Sequence, residues 1–307
     1  MKQARSWREI DGILLVDKPV GPSSNRVLQM TRRALAARKA GHTGTLDPFA
    51  SGLLVCCFGE ATKISGQLLD APKEYLAELT LGRATSGADS TGETIATAPV
   101  PPLDIAAITA VLASLRGAGE QTPPMYSALK HQGRRLYHLA RQGLDVERPP
   151  RPVMIYELEL LDWQAPRLCF RVQAAKGLYV RTLGETIAER LGTVGHLSAL
   201  RRTALGPFRV EDAWRPPDDP AAIDVSRLEA RLLPPPAALP DYPRVSLSEE
   251  QARRLMQGAA VRLPEATAAV AAMALVFDDN GACLGLGEVG VEGLLRPKRL
   301  FAHRLKR

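Results

Sequence analysis

The segment GHTGTLDPFASGLL, residues 41–54, places one carboxylate in a loop whose shape its neighbours restrict. Gly41, Gly44 and Gly52 open backbone conformations closed to other residues and allow close approach to a ligand. Pro48 drives Asp47 toward an extended or turn conformation. Arg38, Lys39, His42 and Lys63 flank Asp47 in the sequence and would keep its carboxylate ionised if they closed around it in space. An ionised carboxylate held in place can act as a nucleophile or a base. On these residues alone the simpler reading is an Asp-Pro turn whose side chain caps its own backbone.

Other candidate chemistry falls away. GLGEVG at 285–290 satisfies the G-x-G-x-x-G dinucleotide pattern, but that fingerprint needs a following helix and an acid about 20 residues further on. Only 17 residues follow Gly290, Pro297 among them, so strand and turn glycines are expected. GEATKIS, around Gly59 and Lys63, lacks the P-loop glycine before its lysine, and no nucleotide cofactor is expected. Cys56, Cys57, Cys169 and Cys283 show no CxxC spacing, which implies neither a disulfide framework nor a zinc site. They read as small buried hydrophobes in a reducing cytosol.

The elements that must hold such a loop follow from pattern. A composition of 45% hydrophobic and 24% charged residues is that of an ordinary globular protein, and 307 residues suggest two domains. Ser23 and Ser24 can cap a helix on which Leu28, Thr31 and Leu35 recur at helical spacing. Residues 74–81 alternate as a strand with Tyr75, Ala77, Leu79 and Leu81 on one side; residues 155–161 and 168–172 form two more, joined by a turn at 164–166. Leu183, Ile187 and Leu191 mark a helix just beyond Gly177. The mixture lacks a repeating βαβ period, which favours α+β. Eight prolines between Trp214 and Arg244 suggest an interdomain connection, with a short helix at 225–233. Beyond it the strand-like, Gly-rich residues 274–289 suggest a small β-rich module. The apolar stretch 266–277 is shorter than the ~18 residues of a membrane span, and the run 13–16 is shorter than the ~7–15 of a signal-peptide core. A cytoplasmic protein without a membrane partner is expected.

Positive charge is segregated. The net charge is +7, yet residues 26–39 carry five cations and no acid, residues 130–152 carry +4, and residues 296–307 carry +6, leaving the remainder at −8. Such segregation suits a phosphate backbone. Three solvated basic faces would satisfy the charge count equally.

At the Asp47 loop the sequence resembles the TruB family of tRNA pseudouridine synthases, whose motif G-H-x-G-T-L-D-P is followed by a small residue and G-L-L. GILLVDKPVGPSS at 12–24 resembles the family's opening Lys-Pro motif, KEYLAELTLG at 73–82 its tyrosine strand, and DSTGE at 89–93 its acidic turn. QTPPMYSALKHQGRRLYHLAR at 121–141 is similar to its RNA-gripping insertion. KGLYVRTLGETIAERLG at 176–192 and LRRTALGPF at 200–208 are similar to the arginine and leucine motifs that close the site. RLMQGAAVRL and LGLGEVGVEGLLRPKRLF resemble an RNA-binding PUA β-barrel. The resemblance implies a pseudouridine synthase fold, a largely antiparallel mixed sheet with flanking helices and loops, over residues 1–240 with an insertion at about 121–152. A PUA-like β-barrel would occupy residues 241–307.

The resemblance also assigns roles. Asp47 would be the catalytic aspartate, attacking a flipped uridine so that uracil leaves C1′, turns and rejoins through C5. Tyr75 would stack on that uracil and handle a proton at C5. Arg181 would pair with Asp47 through a bidentate guanidinium. Tyr179 and Leu200 would wall the uracil pocket, His42 would fill the stack the base leaves, and Lys18 would support the loop from beneath. No cofactor or metal is implied. The implied substrate is the T-arm stem-loop of tRNA at uridine 55, bound by a monomer. Extrusion of a stacked base costs a few kcal/mol and is offset by aromatic and apolar contacts in the pocket. An RNA-binding or RNA-folding protein independent of catalysis is the alternative; the combination of Asp47, Tyr75 and Arg181 favours the enzyme, since binding alone needs no carboxylate facing an anionic ligand. Ala174, Ala175 and Leu178 depart from the family's usual Cys-Ser and Thr around Lys-Gly, which bears on pocket packing rather than on the reaction.

Overall fold

The computed structural model describes residues 6–127, 129–140, 142–264, 272–290 and 292–301. Its main sheet has nine strands: β1 (Gly12–Lys18), β2 (Ala40–Thr43), β3 (Ser51–Phe58), β4 (Lys73–Leu81), β5 (Gly117–Gln121), β6 (Arg151–Gln164), β7 (Arg167–Ala174), β8 (Gly195–Leu205) and β9 (Phe208–Arg209). The order is β1-β3-β8-β4-β7-β6-β5, with β2 on β3 and β9 on β8. Among the described pairings of this sheet only β3 with β8 is parallel. The expected α+β class with a mixed, largely antiparallel sheet is what the chain adopts.

β3 shows why the sequence reads as it does. Its run SGLLVCCF is buried on both faces, so apolar residues follow one another without alternation. Leu54, Cys56 and Phe58 pack with Val27, Leu28 and Leu35 on and just beyond α1 (Ser24–Ala34). Leu53, Val55 and Cys57 face the other way, in a cluster that reaches Leu275, Leu286 and Phe301 of the C-terminal module. The adjacent cysteines thus serve two different cores, and burial pushes both thiols up, leaving them protonated. On β4, Ala77, Leu79 and Leu81 bury against Ile108 and Leu112 of α2 (Ile105–Ser114) and Leu183 and Ile187 of α3 (Val180–Arg190). The α1 cap is Ser23, whose hydroxyl accepts from Arg26 N.

The proline-rich stretch is no loose tether. Trp214 bridges to Val16 and Leu233 to Ile13 along β1, and Leu228 is fully buried beside α1. Its helix is Val225–Glu229, shorter than the expected 225–233, because Leu233 is taken up in an extended bridge and three prolines follow it. Beyond it, β10 (Arg244–Ser246), α4 (Glu249–Met256), β11 (Val261–Arg262), β12 (Ala272–Phe277), β13 (Cys283–Val289) and β14 (Leu294–Leu300) form a five-stranded sheet in the order β10-β12-β13-β14-β11. This sheet curls as a half-barrel. Gly285 lies in β13 at φ +130°, where a Cβ would stand 2.2 Å from Arg299 O, so GLGEVG holds strand glycines. Most of the Ala-rich stretch falls outside the described residues, as do Arg141, Arg304, Lys306 and Arg307 of the basic runs. Among the described residues no helix is long and apolar enough to cross a membrane.

Candidate active site

The loop that carries Asp47 leaves β2 at Thr43 and enters β3 at Ser51. Ser24, at the start of α1, grips it at Leu46: its hydroxyl accepts from Leu46 N at 2.8 Å and donates to Leu46 O at 2.9 Å. Gly21 N donates to Pro48 O at 2.7 Å. Between these ties Asp47 Oδ2 lies 2.9 Å from Arg181 Nε, with the aspartate side chain 38% exposed and the arginine side chain 4%. The carboxylate is therefore reachable while its partner is not.

The pairing is one-point, not the expected bidentate fork. Arg181 Nη1 donates to Gly87 O at 2.9 Å and Nη2 to Tyr126 O at 2.7 Å, while Nε faces Asp47. The cations that flank Asp47 in sequence do not close around it. Arg38 pairs with Glu9, and Lys63 with Glu60 and Leu300 O. The positive charges that act on Asp47 come instead from Arg181 and Lys18, brought by α3 and the end of β1.

Burial raises the Asp47 carboxyl above its ordinary value; Arg181 opposes the rise, Asp89 adds to it, and Lys18 opposes it. Lys18 is fully buried, donating to Pro19 O and Pro22 O at 2.9 Å each. Burial pulls its ammonium down to about 8, against the pull of Asp47. Asp89 heads the acidic turn, its Oδ1 accepting from Thr91 N at 2.9 Å. That turn meets Arg181 through Gly87 O.

Tyr75 is half-buried on β4 and packs against the cluster that contains Leu46, Phe49, Val180 and Leu200. Leu200 on β8 stands opposite Ala77, on the same face of the sheet. A cavity of about 690 Å³ opens beside the loop, with Pro48, Phe49, Leu76 and Leu200 in its walls. Asp47, Tyr75, Arg181 and Tyr179 are not among its lining residues. Tyr179 is the N-cap residue of α3, held by Gln121, whose Oε1 accepts from Tyr179 N at 2.8 Å and whose Nε2 donates to Tyr179 O at 3.1 Å. Burial raises the Tyr179 hydroxyl. His42 lies on β2 opposite Cys56, with Nδ1 buried and, among the described residues, without a hydrogen-bond partner. Burial and then Arg202 pull its pKa down, which favours the neutral ring. Leu178 packs against the main core and Ala174 is buried in it, so the departures at these positions fall on packing residues.

Asp89, Gln121, Tyr126 and Arg202 were not singled out from sequence. For Arg202 a signal existed. β8 alternates inward at Leu200, Arg202 and Ala204, and an arginine at an inward position calls for explanation. The carbonyls of Gly87 and Tyr126 carry no such signal. Among the described residues no cluster of three or more His, Cys, Asp or Glu could hold a metal ion.

Comparison with known proteins identifies relatives of this chain. Residues 32–180 match the profile of the TruB family pseudouridylate synthase (N terminal domain), and residues 243–301 that of Pseudouridine synthase II TruB, C-terminal. The chain is 46% identical over 301 residues to tRNA pseudouridine synthase B of Chromohalobacter salexigens, covering 98% of this chain and 97% of that protein. To tRNA pseudouridine synthase B of Aromatoleum aromaticum it is 48% identical over 305 residues, covering 98% and 96%. In fold it is similar to a chain of a Cbf5-Nop10-Gar1 complex, with a TM-score of 0.70 and 24% identity over 94% of this chain and 84% of that one. A chain of an H/ACA RNP bound to a substrate RNA containing 2′-deoxyuridine gives a TM-score of 0.69 at 22% identity, with coverage of 94% and 84%. By extent and identity of these matches, the chain belongs to the TruB family of pseudouridine synthases, enzymes that isomerise uridine to pseudouridine.

Proposed function

We propose that this enzyme acts on tRNA, converting the uridine at position 55 of the T-loop to pseudouridine with Asp47 as the catalytic aspartate. The observation that carries the reading is the Asp47–Arg181 ion pair, in which a reachable carboxylate is held by a buried guanidinium. Asp47 attacks the extruded nucleotide, the N1–C1′ bond breaks, uracil turns, and C5 bonds to C1′. The C5 proton is lost and N1 gains one, so atoms balance with no redox change and no cofactor. Tyr75 stacks on the uracil and serves that proton transfer. Tyr179 and Leu200 bound the base, Lys18 supports the loop, and His42, neutral and half-buried, fills the gap the base leaves.

The relatives named tRNA pseudouridine synthase B support a tRNA substrate. Exposed Lys130, Arg134, Arg135 and Arg151 of the insertion, together with Arg26 and Arg33 on α1, suit a T-arm backbone. In this reading residues 1–240 form the catalytic domain and 241–307 a PUA-like RNA-binding domain, and the enzyme works as a cytoplasmic monomer. The test is incubation with an unmodified T-arm stem-loop and no added cofactor, with pseudouridine detected by chemical labelling. The parent enzyme forms product; Asp47→Asn binds the RNA and forms none. Full activity in Asp47→Asn overturns the assignment.

A further inference from the structure

Arg202 is 1% exposed and among the described residues makes no ion pair with a carboxylate. Its hydrogen bonds go to backbone carbonyls: Nε donates to Leu53 O at 2.7 Å and Nη2 to Gly44 O at 3.0 Å. Burying a guanidinium without a counter-charge is unfavourable, so stability alone does not account for it. The two carbonyls lie on the two arms of chain that lead into and out of the Asp47 loop, Gly44 at its start and Leu53 in β3 just beyond its end.

Glycines on the same two arms repeat the pattern. Gly44 has φ +75°, and a Cβ there would lie 3.1 Å from Arg202 Nη1. Gly52 has φ +101°, and a Cβ there would lie 2.2 Å from Arg202 O and 2.7 Å from Arg202 N. Gly52 is also the register partner of Arg202 in the parallel pairing of β3 with β8. Both arms are therefore shaped against one residue, its side chain at Gly44 and its backbone at Gly52.

We propose that Arg202 is a positioning residue for Asp47: its guanidinium ties the two arms of the loop together and so sets where the carboxylate stands relative to the bound nucleotide. The proposal rests on reading Asp47 as the catalytic aspartate. Arg202 is not among the groups that move the Asp47 pKa, whereas it does act on His42 and Lys18. It works on Asp47 through geometry.

The test uses the full chain under single-turnover conditions with saturating T-arm RNA, RNA affinity and thermal melting being measured on the same preparations. Arg202→Lys keeps the charge, but one ammonium cannot reproduce the guanidinium fork. Gly44→Ala presses on the fork from the loop side. Each is expected to lose about 100-fold in rate, the scale of a reacting group displaced by about 1 Å, with RNA affinity unchanged and the acid limb of the pH profile unmoved; melting falls, through the left-handed φ at Gly44 or the weakened carbonyl bonds of Arg202, but stays above the assay temperature. The double variant is expected to lose little more than either single one, since both act through one contact. Full rate in both variants, additive losses, or a rate loss matched by lost RNA affinity overturns the proposal. If Arg202→Lys does not fold, Gly44→Ala decides on the same criteria. Asp47→Asn is run alongside: activity there defeats the reading of Asp47, whereas an inactive Asp47→Asn beside fully active Arg202→Lys and Gly44→Ala defeats only the role of Arg202.

Discussion

Arg181 and Arg202 both reach the loop region around Asp47, with 3% and 1% of their surfaces exposed. Each spends two nitrogens on backbone carbonyls, Arg181 on Gly87 and Tyr126 and Arg202 on Leu53 and Gly44. The third contact separates them. Arg181 turns Nε to the Asp47 carboxylate, whereas the carbonyls held by Arg202 are those of the two arms that flank it. The first arginine sits in the field of the reacting group, and the second in the frame around it. Two identical side chains thus divide the task of presenting a carboxylate, one governing its charge and the other its place.

The largest effect on that division is expected at Arg181. Arg181→Met removes the strongest influence holding the Asp47 pKa down, so burial and Asp89 push it up further. Single-turnover rate is expected to fall on the order of 10³-fold, the scale of losing a buried electrostatic partner, with the acid limb of the pH profile moving to higher pH. An acid limb that stays in place would mean that Arg181 is also only a frame, and the contrast between the two arginines would vanish.

How much of this was legible from sequence differs along the same line. Asp47 and Arg181 were legible through motifs that resemble a family rather than through residue types, since on its own residues Asp47 reads as an Asp-Pro turn; the α1 cap follows from its serine, and β3 carries double burial in an unbroken apolar run. The partners of Arg181 and Arg202 are mostly carbonyl oxygens, which every residue possesses, so no side-chain pattern marks Gly87, Tyr126 or Leu53. Neighbours in sequence misled for a related reason. Arg38 and Lys63 look close to Asp47 along the chain, but in space they pair with Glu9 and Glu60. The parallel pairing of β3 with β8 joins segments far apart in sequence and is invisible to local periodicity.

A smaller effect is expected at Lys18, the lesser of the two cations acting on Asp47. Lys18→Met should move the acid limb in the same direction as Arg181→Met but by less. Lys18 also titrates near pH 8 in the folded protein, below its ordinary 10.5. Between these values the unfolded chain holds a proton that the native state has released, so this group raises stability as pH increases from about 8 toward 10.5. Melting curves across that range should show the parent gaining on Lys18→Met. A constant difference would show that Lys18 keeps its ordinary pKa and contributes no titrating charge beneath Asp47.

The smallest effect sharpens the comparison most, because it comes from the residue next to Arg202. Arg201 points outward from β8, its side chain 39% exposed, and its Nη1 and Nη2 each donate to Asp17 at 2.9 Å. Its geometry is the bidentate fork that Arg181 lacks, yet water screens it, and such a pair is worth only about 0–1 kcal/mol. Arg201→Ala is therefore expected to lower melting slightly and to leave single-turnover rate at saturating RNA and the shape of the pH profile unchanged. A rate loss equal to that of Arg202→Lys would show that β8 as a whole, rather than the buried guanidinium, holds the loop. An unchanged rate at Arg201 beside a large loss at Arg202 places the effect on the side of the strand that faces the carbonyls of Gly44 and Leu53, to which Arg202 donates.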